Sequence, residues 1–324
     1  MTAVDPPSPP KYRLGDPINS EIARRPMASD QPAHAWAVLR GIPMRFFLTP
    51  RRHLNGQADN SCRTRSRLVA MLLVVVTVLW FAAACAKPFR TDAALKAYFS
   101  TRPGTEAVAV FNAVTGATYA YNGQVHFVTA STVKVAILGA VLLRAQEAKR
   151  PLTAWERARA VPMIESSNND SASLLYASIG RAPALARFMS LVGMSNTIPG
   201  PGTAWGLTQT TALDEVTLMR AIAYPNNILT TASRAYALTL MSHPDKDHRW
   251  GVSAGAGPGQ MFAQKTGSGP VSVYGGKWAV HCMGRIWGGG RDFVIAALTA
   301  GSPNKSVGVA TVENAVRIAT RGIS

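Results

Sequence analysis

Three regimes of hydrophobic and polar patterning follow one another along the chain. Residues 1–66, rich in Pro, Arg and Ala, keep neither a helical nor an alternating period, which predicts a largely disordered tail. Leu68–Ala86 is an almost unbroken apolar run preceded by Arg63, Arg65 and Arg67. As a helix it spans about 28 Å, close to a bilayer core, and its basic flank places the N-terminus in the cytoplasm and the remainder outside. From residue 91 onward, strand-like and helix-like stretches alternate. Short strands are expected over Ala107–Phe111 and Ala117–Tyr121, joined across Thr115-Gly116 and closed by Asn122-Gly123. Val133–Leu143 reads as a buried helix. Leu152 to about Ser242 reads as helical, with breaks at Pro162, Gly180 and Thr197–Gly206. Strands return at Met261–Ser268, Lys277–Arg285 and Phe293–Leu298, between flanking helices over Thr91–Phe99 and Ser306–Thr320. Strands at both ends with helices between them predict an α+β fold, an antiparallel sheet flanked by helices and split by an inserted all-α part.

Composition refines this picture in a few places. A chain of 324 residues, 47% hydrophobic, can bury a sizeable core. The expected organisation is a basic cytoplasmic tail over 1–67, a membrane segment over 68–86 and a folded extracytoplasmic domain over 88–324. Lys and Arg total 34 against 17 Asp and Glu, but the excess is spread out, with no basic cluster interleaved with aromatics. Nucleic acid is therefore excluded as a partner, and an acidic envelope or membrane surface fits the charge better. Of Cys62, Cys85 and Cys282 only the last lies in the exported part, so no intradomain disulfide is expected and Cys282 reads as a buried structural thiol. Ala82-Ala83-Ala84-Cys85 resembles a bacterial lipoprotein site, which makes a lipidated Cys85 the alternative to an uncleaved anchor. The histidines, His243 and His248 among them, show no metal-ligand spacing, and neither a metal nor a cofactor is expected.

The candidate chemistry starts at Ser131-Thr132-Val133-Lys134. Residues three apart share a helix face, so the Lys134 amine is within reach of the Ser131 hydroxyl, and free N–H groups at a helix start are suited to an oxyanion. Ser167-Asn168-Asn169, read alone, is an N-cap cluster. Lys265-Thr266-Gly267-Ser268-Gly269 ends a strand whose glycines suit an edge open to an extended peptide. Lys265 there is placed to hold a carboxylate or to depress a neighbouring lysine's pKa.

Taken in order, Ser-x-x-Lys, Ser-x-Asn and Lys-Thr-Gly resemble the signature of class A β-lactamases and penicillin-binding D-alanyl-D-alanine peptidases. The likeness extends to Phe127, Val135, Gly139–Leu142, Leu174-Leu175 and Ile179-Gly180, and covers roughly residues 91–320. It implies a monomeric serine hydrolase acting on β-lactams or D-Ala-ending peptidoglycan peptides, or a sensor that binds them without turnover. By the same resemblance Ser131 is the acylated nucleophile, Lys134 its general base and Ser167 the proton shuttle. Asn169 binds the substrate's acylamide, and Lys265, Thr266, Gly267 and Ser268 form the carboxylate-binding strand. The N–H groups of Ser131 and Ser268 form the oxyanion hole. The chain departs from that family in three ways. Asn168 stands for the usual Asp, and the stretch from Ser131 to Ser167 is short. Residues 171–213 hold no Asp or Glu, where the family keeps the glutamate that activates the deacylating water. Asp214 and Glu215, after Thr211, read as helix-capping residues, and Glu165 has no evident role.

Overall fold

The computed structural model describes residues 90–322, so the tail 1–67, the apolar run Leu68–Ala86 and Cys85 lie outside the described residues. The chain runs α1 (Arg90–Phe99), β1 (Thr105–Asn112), β2 (Thr118–Tyr121), β3 (Phe127–Val128), then a 3-10 turn (Ala130–Val133) leading into α2 (Lys134–Glu147). Helices α3 (Ala154–Glu165), α4 (Asn169–Ile179) and α5 (Arg181–Val192) precede β4 (Gln209–Thr210), α6 (Ala212–Ala223) and α7 (Thr231–Met241). Strands β5 (Met261–Pro270), β6 (Trp278–Gly288) and β7 (Arg291–Ser302) lead to the closing helix α8 (Lys305–Gly322). No helix among the described residues is long and apolar enough to cross a membrane.

The five-stranded sheet has the order β2-β1-β7-β6-β5, antiparallel throughout. Its two faces follow from the two-residue period of a strand. Ala107, Ala109, Ala263, Met283, Val294, Ala296 and Leu298 face one core, shared with α2 to α7. Val108, Val110, Val280, Cys282, Phe293 and Ile295 face a second core, closed by Leu95 and Phe99 of α1 and by Val312, Ala315, Val316 and Ala319 of α8. The α8 residues recur at helical spacing, which is why one stripe of that helix is buried and the rest is polar. Cys282 is buried in β6 as expected, and burial pushes its thiol up to about 12.

Helix α2 buries eleven of its fourteen residues, so helices α3 to α7 pack round it. Its Gly139 admits the Phe188 ring of α5, since a Cβ there would lie 2.2 Å from Phe188 Cζ. One expectation needs correction, and one strand contact lies outside the sequence pattern. Pro162 does not break its helix: it sits inside α3, which runs on to Glu165, at the cost of one backbone hydrogen bond on the N-terminal side. The helix after Ser131 begins at Lys134, with the serine in the preceding 3-10 turn. The two-residue strands β3 and β4 pair with each other, a contact too short to leave a periodic trace. The edge expectation for Lys265–Gly269 holds, since β5 is the last strand of the sheet.

Candidate active site

Three elements bring the motif residues together: the turn before α2, the link between α3 and α4, and edge strand β5. The turn is held from both sides. Val128, just upstream, donates its N–H to Tyr274 Oη (2.9 Å) and accepts from His281 Nε2 (2.8 Å). His281 Nδ1 in turn accepts from the Thr299 N–H (3.2 Å). Only a neutral ring serves both bonds, consistent with burial holding His281 down at about 4. Ala130 then takes a left-handed conformation, φ 48°, which turns the chain sharply into Ser131. Strand β5 closes on this turn: a Cβ on Gly267 would lie 2.9 Å from both Ser131 N and Thr129 O, so only glycine lets the strand approach.

Lys134 is wholly buried, and its side-chain amine makes three hydrogen bonds, none of them to Ser131: Ser167 O at 2.5 Å, Ser167 Oγ at 3.1 Å and Asn169 Oδ1 at 2.7 Å. Ser167 is left-handed as well, φ 54°, and this directs its carbonyl at the amine. Lys265, also buried, donates to Ser167 Oγ (3.0 Å) and to Thr266 O (2.8 Å). Ser167 Oγ is thus a hydroxyl bridge between two lysines. Among the described residues no carboxylate pairs with Lys134. Burial, and secondarily the Lys265 charge, hold it down at about 6. Burial also lowers Lys265, to about 7, against an opposing pull from Asp245. At neutral pH the amine of Lys134 is mostly uncharged. As a neutral amine it donates two N–H bonds, to Ser167 O and Asn169 Oδ1, and its lone pair faces the Ser167 hydroxyl.

Asn168 is the residue of the second motif that acts as an N-cap, accepting from the Ser171 N–H (2.8 Å), while Ser167 and Asn169 turn to Lys134. Thr266 is buried with no partner for its hydroxyl among the described residues, and Ser268 is half-buried further along the strand. The capping expectation for Asp214 and Glu215 is only half met. Thr211 caps α6 by accepting from the Asp214 N–H, but the Asp214 carboxylate takes the Asn196 N–H (2.8 Å) and Thr197 Oγ1 (2.7 Å). Glu215 points inward and accepts from Thr132 Oγ1 (3.2 Å), directly behind the Ser131 turn. Complete burial pushes its carboxyl up to about 8, so at neutral pH it is mainly a neutral acid.

One residue has no counterpart in the motif reading. Trp205, from the loop between α5 and β4, sets its ring over Lys134 with Nζ 5.1 Å from the centroid. Its Nε1 donates to Ser173 Oγ (3.1 Å) on α4. The only sequence signal is a single large aromatic at the end of the Gly- and Pro-rich stretch Thr197–Gly206.

Comparison with known proteins bears on the fold and the family. The family model for the beta-lactamase enzyme family matches residues 90–157 and 157–323. Among solved structures, the class A beta-lactamase from Mycobacterium abscessus is 20% identical, with TM-score 0.63, covering 71% of this chain and 98% of its own. An ancestral class A beta-lactamase is 21% identical (TM-score 0.62, 72% and 99% covered). PBP-A is 23% identical (TM-score 0.62, 72% and 95% covered). No protein of curated function matches. The shared α+β architecture and the family match lead to one conclusion: this chain belongs to the beta-lactamase enzyme family.

Proposed function

We propose that the protein is a penicillin-recognising serine hydrolase that forms an acyl-enzyme at Ser131. The observation that carries the reading is the buried Lys134–Ser167–Lys265 chain behind the Ser131 turn, with Lys134 largely neutral at pH 7. In this mechanism Lys134 takes the proton of the Ser131 hydroxyl as its oxygen bonds to the substrate carbonyl carbon. The oxyanion is received by the N–H groups of Ser131 and Ser268. The proton then passes through Ser167 Oγ to the departing nitrogen as the C–N bond breaks, with Lys265 polarising that hydroxyl. Asn169 holds the acylamide, and Lys265, Thr266 and Ser268 receive the carboxylate of a β-lactam or D-Ala-ending peptide. Gly267 keeps the strand close enough for this to happen. The substrate lies along edge strand β5, whose outer backbone groups have no strand partner.

Incubation with a fluorescent penicillin, read by intact mass and peptide mapping, tests the assignment. One adduct at Ser131 is expected, absent from Ser131→Ala. Label that persists in that variant overturns it. Lys134→Ala should slow acylation by roughly 10² to 10⁴, the usual worth of a positioned base.

The membrane-anchored, extracytoplasmic placement belongs to the same proposal and rests on the run Leu68–Ala86 behind three arginines. Protease treatment of spheroplasts expressing the full chain should degrade the catalytic domain. A domain shielded from the protease would contradict it.

A further inference from the structure

Any hydrolysis of an ester at Ser131 needs a water beside the acyl carbon and a base for its proton. The oxygen of water bonds to that carbon, and the bond from carbon to Ser131 Oγ breaks. One proton returns to Oγ and the other leaves with the acid product. The loop segment that spans residues 193–208 supplies no carboxylate for this step. Instead it sets an indole over Lys134, the buried base of the site. Trp205 is 7% exposed, and Lys134 beneath it is 0% exposed.

The indole is held by more than its own packing. Its Nε1 bonds to Ser173, Tyr176 Oη reaches Gly202 O (3.3 Å), and the Thr129 N–H, just before the nucleophile turn, reaches Thr208 O (2.7 Å). Thr129 Oγ1 also contacts Gly206 O (3.4 Å). The loop is therefore pinned to α4 on one side and to the nucleophile turn on the other. An indole face attracts an ammonium, yet it has no lone pair with which to hold a water. Its bulk keeps solvent from Lys134, and that loss of hydration favours the neutral amine.

We propose that Trp205 is a positioning residue that decides the fate of the acyl-enzyme: by roofing Lys134 with an apolar ring it excludes the hydrolytic water. The site is thereby restricted to substrates whose amine departs and vacates space for water. A penicillin keeps its amine tethered through the ring after opening, so its ester is trapped. A D-Ala-ending peptide releases its amine and turns over. This inference rests on acylation at Ser131.

The test uses the full-length chain and three variants, Trp205→Phe, Trp205→Leu and Trp205→Ala, each checked for native circular dichroism. Two quantities are read: the half-life of the penicilloyl adduct, and the pH dependence of its formation. Trp205→Ala is expected to shorten the half-life at least tenfold and to move the acid limb of acylation to higher pH, because water now reaches Lys134. Trp205→Phe should stay near wild type on both. Trp205→Leu, a narrower apolar cover, should fall between and serves as the reading if the alanine variant does not fold. A purely structural role would slow acylation and leave adduct lifetime and pH limb in place, and that result overturns the proposal. Absence of any wild-type adduct at Ser131 would instead refute the acyl-enzyme reading itself.

Discussion

Replacing Lys265 with glutamine should move the acid limb of acylation upward, because Lys265 is one of the two causes that keep Lys134 neutral. Both amines touch Ser167 Oγ, at 3.1 and 3.0 Å, so their nitrogens are no more than about 6 Å apart. At an effective dielectric constant near 20, two unit charges at that separation repel by roughly 3 kcal/mol, about two pKa units. Burial is the larger cause and survives the substitution, so a rise on the order of one to two units above about 6 is expected. With a limb near 7.5, protonation alone would slow acylation about eightfold at pH 6.5 and hardly at all at pH 9. The glutamine also weakens polarisation of Ser167, a loss felt mainly below about 7, where Lys265 is charged, so the limb is compared by its midpoint and not by the height of the profile. The assay is stopped-flow acylation by a chromogenic cephalosporin at saturating concentration, from pH 5 to 9, so that weaker carboxylate binding drops out. A limb that stays near 6, or moves to lower pH, would refute the repulsion argument. A profile with no limb in either protein would remove Lys134 as the base.

Further outcomes follow from other buried groups. Gly267→Ala should reduce acylation at least tenfold and cost on the order of 1–3 kcal/mol in urea unfolding, since the new methyl meets the Ser131 and Thr132 N–H groups. Equal acylation by that variant would show that the turn has room to move. Glu106, 6% exposed on β1 with one carboxylate oxygen unpartnered, is pushed by burial up to about 7. The folded state then binds more protons than the unfolded state between pH 4.5 and 7, so stability falls across that window. Glu106→Gln should remove this fall and gain on the order of 1–3 kcal/mol at pH 8, with little change at pH 4, in paired denaturation curves. Glu215→Gln should leave the penicilloyl half-life unchanged at pH 7, because a carboxyl near 8 is mostly protonated there. A lengthened half-life would make Glu215 the deacylating base.

The parts of the site legible in the sequence are those where short spacing carries the geometry. Lys265 to Gly269 is a strand end marked by glycines, whereas the three-residue spacing of Ser131 and Lys134 points to a side-chain contact that is not among the hydrogen bonds of the amine. The α+β order was readable for the same reason, since each sheet strand except β2 is long enough to show its period, and β2 is marked by its turns. What escaped is contact across the fold. Trp205 reaches Lys134 from seventy-odd residues downstream, and nothing local distinguishes it from a core tryptophan. Asp214 and Glu215 carry the local chemistry of a helix start, yet tertiary partners at Asn196, Thr197 and Thr132 take their carboxylates. Pro162 was misleading because proline signals a break only on average, and α3 tolerates it near its C-terminal end.

The strand order has a kinetic consequence. Strand β1, laid down first, pairs with β7, laid down last, and every helix of the inserted part lies between them in sequence. Lys265 lies on β5, outside the insertion that carries Ser131 and Ser167, so the complete site needs the sheet as well, while the helices around α2 need contacts no further than the insertion itself. High separation between paired segments makes such closures slow. On dilution from denaturant, helical circular dichroism should therefore return well before the ability to take a penicillin label. Acquisition of label then serves as a clock for completion of the fold, reporting the last long-range pairing and not the first local structure.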